Sequence, residues 1–312
     1  MMNNMKLESH TPLVAVVVVN WNGKDDTLDC LQSLDKVEYG ALKIILVDNG
    51  STDGSVGIIK ECHPHIDLIE THDNLGFVGG NNVGMKAALA EGADYILLLN
   101  NDTIVAPDFL SHLVKYLDDH PSTGIVGPLI YYHSSPEILW SAGGKVDPTS
   151  GDTRMLGMGE SQVDSGIISG EMDFVTGCAL MIRADVIRQV GMLDERFFAY
   201  YEETEWCARV RKAGYEIHII PEAKIWHKIS PEAREASAQV NYYMTRNRLL
   251  FIKLTGLGMG AGLKTLIMNY MRTLISWTIK PKWRSKTSQR KALIRGVRDY
   301  FLGRFGRVDL AS

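Results

Sequence analysis

Leu97-Leu98-Leu99-Asn100-Asn101-Asp102-Thr103 carries an apolar run into two amides and then a single carboxylate. A carboxylate at the carboxyl end of a buried strand stands where open α/β sheets place their ligands. A hard divalent cation takes oxygen ligands, and one Asp together with phosphate oxygens can hold it. The competing reading is that Asp102 only caps a helix beginning near Ala106-Pro107-Asp108-Phe109.

Three further groups bear on that choice. Asp48-Asn49-Gly50-Ser51-Thr52-Asp53-Gly54 ends a second apolar run. Its first carboxylate can accept from a nucleobase imide or a ribose hydroxyl, or it closes an ordinary Asx turn. Asn74-Leu75-Gly76-Phe77-Val78-Gly79-Gly80-Asn81-Asn82 is rich in glycine. Glycines let a backbone approach a ligand, and a helix start beyond them favours phosphate. Phe198-Ala199-Tyr200-Tyr201-Glu202-Glu203-Thr204-Glu205 packs three carboxylates into four residues. They repel unless a cation, a proton or a helix start compensates, and Glu203 beside an acceptor hydroxyl would be a general base. A solvated first helical turn is the plainer account, weakened by the aromatic residues before it. His227, after Ile225-Trp226, is a metal ligand, a proton carrier or a structural imidazole.

These residues need a frame. Residues 13–19, 42–47, 66–70 and 95–99 read as strands, with helices over about 25–34, 54–62 and 85–91 between them. That alternation predicts right-handed crossovers and a mainly parallel sheet flanked by helices. The β-branched run from Val14 to Val19 has the composition of a strand buried on both faces. Residues 131–173 read as loop, followed by a strand over 179–182, helices over 184–190 and 203–213, and a short strand over 217–220 that ends at Pro221. Neither GxGxxG nor a P-loop follows the first strand, which counts against a dehydrogenase and an NTPase.

The 312 residues carry 45 % apolar and 22 % charged side chains, ordinary for a protein with a core. Cys30, Cys62, Cys178 and Cys207 lie far apart, which offers neither a zinc site nor a disulfide framework and suits a reducing compartment. Residues 1–10 are polar and lack a signal-peptide core. From Asn241 onward there are 15 Lys and Arg against 2 Asp and Glu, although the whole chain has a net charge of −4. A basic tail on an acidic body points to an anionic surface. Its basic residues interleave with Phe251, Trp277 and Trp283, and no clean apolar span of about 20 residues occurs. A helix lying in a membrane interface is therefore expected, not one crossing it, and helices packed on the body or on a second copy of the chain are the alternative.

In this order, these segments resemble the family-2 inverting glycosyltransferases of the GT-A fold, above all the bacterial rhamnosyltransferase-like branch. The shared pieces are 14–19 with Asn20-Trp21-Asn22, Val47-Asp48-Asn49-Gly50-Ser51, Asn74-Leu75-Gly76-Phe77, and Leu99-Asn100-Asn101-Asp102. They continue through Gly191-Met192-Leu193-Asp194, Tyr201-Glu202-Glu203-Thr204-Glu205-Trp206 and Trp226-His227 to Tyr242-Tyr243 and Arg246-Asn247. The resemblance implies a catalytic domain over 11–245, with a nucleotide-sugar half (11–128) and an acceptor half (129–245), and a basic helical extension over 246–312. It implies that Asp102 and His227 hold Mg²⁺ or Mn²⁺. Asp48 and Trp21 would meet the base, and Asn20, Asn74, Gly76, Gly80, Asn100, Asn101 and Arg246 the rest of the donor. Glu203 would be the base, with Gly177, Glu202 and Glu205 on the acceptor side.

The implied reaction moves a sugar, foremost rhamnose, from a dTDP- or UDP-sugar to a glycan or polyprenyl-linked glycan, at the cytoplasmic face of a membrane. No nucleic-acid partner is implied. A sugar-nucleotide nucleotidyltransferase and a non-catalytic glycan-binding module are the rival readings. The missing phosphate loop disfavours the first, and the presence of both Asp102 and Glu203 disfavours the second.

Overall fold

The computed structural model describes residues 11–166, 170–229 and 237–308. The first half alternates as expected: β1 (Val14–Asn20), α1 (Lys24–Leu34), β2 (Leu42–Asp48), α2 (Ser55–Cys62), β3 (Asp67–Glu70), α3 (Gly76–Ala90) and β4 (Tyr95–Asn100). Then come β5 (Thr103–Val105), α4 (Phe109–Asp119), β6 (Thr123–Tyr132), β7 (Ser135–Ser141), a β8–β9 hairpin (Gly144–Asp147, Asp152–Met155), α5 (Gln162–Ser165) and β10 (Gly170–Glu171). β11 (Ala179–Arg183), α6 (Ala184–Val190), α7 (Glu202–Lys212) and β12 (Glu216–His227) complete the body. The main sheet is ordered β10-β12-β6-β11-β4-β1-β2-β3. β3, β2, β1 and β4 are parallel, and β6 and β12 run the same way because β11 lies antiparallel between β4 and β6.

The continuous apolar run of β1 is explained by burial on both faces. Ala15 and Val17 join a core with residues of α3, α6 and α7, while Val14, Val16 and Val18 join another with residues of α1 and α4. Burying each such valine contributes about 1.5–3 kcal/mol, an upper figure given a partly collapsed unfolded chain.

Several expectations are corrected. α3 begins at Gly76, not Met85. β12 passes through Pro221 to His227, because a register shift between Ile220 and Lys224 frees the position where proline cannot donate. Asp102 does not cap α4, which starts at Phe109 with β5 intervening.

The boundary between 245 and 246 cuts through one helix, α8 (Ala238–Thr255). Its central residues are buried, and α11 (Thr287–Phe301) crosses it where Gly296 faces the Tyr242 carbonyl, leaving no room for a Cβ. Phe251, expected as a membrane anchor, is instead in the core against Tyr201. Between them, α9 (Gly258–Lys264), a π-helical turn (265–271) and α10 (Arg272–Ile279) form one run. Among the described residues no helix is long and apolar enough to cross a membrane.

Candidate active site

β1, β2 and β4 end together: Asn20 is opposite Asp48, and Val19 opposite Asn100. A cavity of about 400 Å³ opens over this edge, lined by Trp21, Asn74, Gly76, Asn100, Asn101 and Asp102 among the expected residues. Trp21 is 56 % exposed at this wall. Asn20 and Asp48 lie behind the wall. The Asn20 amide donates to Asp48 Oδ2 (2.9 Å) and to the Ser51 and Ser55 hydroxyls, and Ser51 N donates to Asp48 Oδ1 (2.9 Å). Both are buried, so they shape the turn beneath the cavity. Asn101 also donates to Thr27 (2.8 Å).

Asp102 and His227 are 125 positions apart in sequence and meet because β5 pairs with the end of β12, Thr103 opposite His227. His227 Nε2 lies 3.0 Å from Asp102 Oδ1, and Trp140 packs edge-on against the imidazole. Burial raises the Asp102 carboxyl, but His227 and Lys228 outweigh it and hold the group below its usual range. Burial lowers His227, yet the Cys178 sulfur and Asp102 lift it to about 10. Asp102 lines the cavity and the buried His227 imidazole stands directly behind it; a carboxylate oxygen and an imidazole nitrogen side by side are a donor set that fits Mn²⁺ or Mg²⁺, with positions left for phosphate oxygens.

Glu203 stands in the first turn of α7, next to the cavity wall. A Cβ on Gly177 would lie 3.8 Å from Glu203 Cβ and 2.9 Å from the Phe77 ring, which lines the cavity. Gly177 therefore lets the Phe77 ring pack close beside Glu203, which itself stands behind the cavity lining. Burial raises Glu203 to about 7, against backbone hydrogen bonds that pull it down. Burial and the Glu203 charge push Glu202 well above its usual range, and among the described residues its Oε2 has no hydrogen-bond partner. Glu205 is corrected to a structural role: both its oxygens accept from Arg209 Nε (2.9 Å), beside a different cavity.

The glycine segment does not offer the expected phosphate cradle. Leu75 N donates to Asn49 Oδ1 (3.1 Å), Gly76 N to Asn74 Oδ1 (2.8 Å) and Val78 N to the Phe198 carbonyl (3.1 Å), so these amides are already taken. Gly76 (φ +75°) makes room for Phe198, and Gly80 for Val19 of β1. Arg246 is also corrected. It is fully buried and donates to the carbonyls of Arg196, Phe197 and Gly306, and does not line the cavity. Asn49, Phe198, Tyr200, Gln239 and Tyr243 do line it and were not expected there. Asn49 had a visible signal, an amide directly after a strand-end carboxylate. Gln239 had none, because α8 reaches the cavity only through tertiary packing. A separate cluster, Asp35, His63 and His65, has ligand atoms within 4.8 Å of one another, but it lies at the carboxyl ends of α1 and α2, the opposite edge of the sheet.

A mainly parallel sheet with this strand-end cavity is the architecture of GT-A-fold transferases. Solved structures share the fold. A mannosyltransferase of Pyrobaculum calidifontis in complex with GDP-Man and Mn²⁺ superposes with a TM-score of 0.54 at 13 % identity, covering 95 % of this chain and 88 % of that one. A GalNAc-T7 structure with UDP, GalNAc and Mn²⁺ gives 0.61 at 13 %, covering 95 % and 57 %. Residues 15–191, more than half of the chain, match the model of glycosyl transferase family 2. The chain belongs to that family and is a glycosyltransferase. A low-salt glycan biosynthesis hexosyltransferase of Haloferax volcanii is 30 % identical over 245 residues, 76 % of this chain and 74 % of that one. The dTDP-rhamnosyl transferase RfbF of Shigella flexneri is 25 % identical over 304 residues, covering 91 % and 95 %. A decaprenol-linked N-acetylglucosaminyl L-rhamnosyltransferase of Mycobacterium tuberculosis is 26 % identical over 241 residues, covering 70 % and 76 %.

Proposed function

We propose that the protein transfers rhamnose, with inversion, from dTDP-rhamnose to a hydroxyl of a polyprenyl-linked glycan. The observation that carries the chemistry is the placing of Glu203 across Phe77 and Gly177 from a cavity whose wall holds Asp102. Glu203 takes the acceptor proton, the acceptor oxygen attacks the anomeric carbon, and the nucleoside diphosphate leaves, all in one displacement. Asp102 and His227 would hold a divalent cation, whose chemistry is to stabilise negative charge on the leaving diphosphate. His227 must give up its bridging proton before it ligates. The two relatives whose names specify rhamnosyl transfer support the sugar, and the mycobacterial one supports the lipid-linked acceptor.

The same reading places the enzyme on the cytoplasmic face of an anionic membrane. Met259, Leu263, Ile267, Met271, Ile275 and Ile279 are all exposed and recur every fourth residue. In a pure α-helix such a stripe drifts by about 40° per step. The wider π turn at 265–271 turns the stripe partly back and limits that drift. Lys264, Arg272, Lys280, Lys282 and Arg284 flank this run, the pairing of apolar anchors and cations that an anionic interface selects.

The test is a panel of nucleoside-diphospho-sugars with purified protein and Mn²⁺, read by thermal shift and by nucleoside diphosphate release. dTDP-rhamnose should stabilise the protein most and be turned over. Release of pyrophosphate from a nucleoside triphosphate and sugar phosphate, with no turnover of any sugar nucleotide, would replace this reading by a nucleotidyltransferase.

A further inference from the structure

We propose that Asn247, oriented by Arg246, is a positioning residue for the catalytic loop: it fixes the backbone of Phe197–Tyr200, which forms one wall of the cavity and delivers Glu203. That backbone is unusual. Phe198, Tyr200 and Tyr201 have φ of +66°, +69° and +71°, three left-handed non-glycine residues within four. Such conformations persist only where the surroundings over-determine them.

The determinant is visible. Asn247 Nδ2 lies within hydrogen-bond distance of three carbonyls of the loop: Phe197 (3.0 Å), Ala199 (2.7 Å) and Tyr200 (2.8 Å). Its own Oδ1 accepts from Arg246 Nε (2.9 Å), which fixes the amide's orientation. Arg246 Nη2 adds bonds to the carbonyls of Arg196 (3.2 Å) and Phe197 (3.0 Å). The guanidinium makes no ion pair among the described residues. It lies over the rings of Tyr242, Tyr243 and Phe305, and its Nη1 donates to the Gly306 carbonyl (2.8 Å). A buried cation neutralised by carbonyls and aromatic faces, away from the cavity, is built to hold backbone. What it holds leads directly into α7, whose second residue is Glu203.

The Glu203 side chain has no cation to fix it among the described residues. Tyr200, Tyr201, Glu202 and Cys207 are the titratable groups facing it, with Phe77 and Gly177 opposite. Its carboxylate is held by backbone amides of its own turn and by the Thr204 hydroxyl, and the loop sets where that turn begins. The catalytic part of this inference rests on Glu203 being the base; the positional part does not.

The test uses full-length Asn247→Asp, which keeps the shape and removes both donors, with Asn247→Ala and Arg246→Lys alongside. Transfer is measured against pH, and the Glu203 carboxyl is titrated directly by ¹³C NMR, assigned with Glu203→Gln. We expect kcat to fall about 10²-fold, the effect of a small misplacement of a reacting group, while the donor KM moves less than about fivefold. The Glu203 titration should move down by about one pH unit or more as water reaches it. Should Asn247→Asp fail to fold, Arg246→Lys carries the same readings. Lowered melting with wild-type kcat and an unmoved Glu203 titration would show the amide to be merely structural, and overturn the proposal. A moved titration in Asn247→Ala with Glu203→Gln fully active would keep the positioning and discard Glu203 as base.

Discussion

Replacing Glu203 by Gln is expected to stop transfer and, above neutral pH, to stabilise the fold. Both effects have one cause. Burial lifts the carboxyl from its ordinary 4.5 to about 7. The folded protein then binds this proton more tightly than the unfolded chain does. Stability is therefore complete below about pH 4.5, falls as pH rises between the two values, and levels off above about 7. The shift corresponds to about 3 kcal/mol at most, since one pH unit is worth about 1.4 kcal/mol. The amide introduced by Glu203→Gln would carry no charge and escape this cost. For a chain of this length the variant should melt about 4–5 °C above wild type at pH 8.5, with most of the difference gone at pH 5.

Activity should move the other way. Transfer should fall by roughly 10²–10⁴, and wild-type kcat/KM, measured with Mn²⁺ saturating so that His227 is already deprotonated by the metal, should rise with pH through a limb near 7, reaching only about a tenth of its plateau at pH 6. Glu202→Gln should keep measurable transfer, since it leaves the Glu203 carboxylate in place to take the acceptor proton. Differential scanning calorimetry and initial rates across pH 5–9 measure both. A rate limb below pH 5.5, or a Glu203→Gln variant that melts no higher than wild type at pH 8.5, would falsify the reasoning.

Three other outcomes are expected. Asp102→Asn should lower transfer on the order of 10²–10³-fold and weaken Mn²⁺-dependent nucleotide binding, while the folded protein, with its buried His227 unpaired, melts somewhat lower; full wild-type activity in excess chelator would remove the metal from the mechanism. Gly76→Ala forces a left-handed alanine whose Cβ would meet the Phe198 ring at 2.5 Å; adding about 1–2 kcal/mol for the backbone to about 1–3 for overpacking, it should lose about 2–5 kcal/mol in urea unfolding. Finally, the protein should co-sediment with phosphatidylglycerol vesicles, less so in high salt, and Ile267→Asp with Ile275→Asp should abolish this; unchanged sedimentation of the double variant would place the contact elsewhere.

How much of this was legible in the chain follows from how far each signal reaches. The strands of the first half are local events. A β-branched run such as Val14 to Val18 favours an extended backbone and needs two buried faces wherever it goes, so sequence alone determined β1, β2 and β4 and put Asp48 and Asn100 at their ends. The acidic turn before Trp206 likewise announced Glu203, because three carboxylates within four residues must be compensated. Which partner compensates each one is not local. Only the tertiary structure decided that Glu205 belongs to Arg209 while Glu202 and Glu203 have no cation partner among the described residues. It also decided that glycines read as ligand-facing make room for Phe198 and Val19. Arg246 is the sharpest case. The family resemblance put it at the diphosphate or the acceptor, yet a guanidinium binds carbonyls and aromatic faces equally well once they surround it. Side-chain type sets what a residue can bind, and only the packing of distant segments sets what it meets.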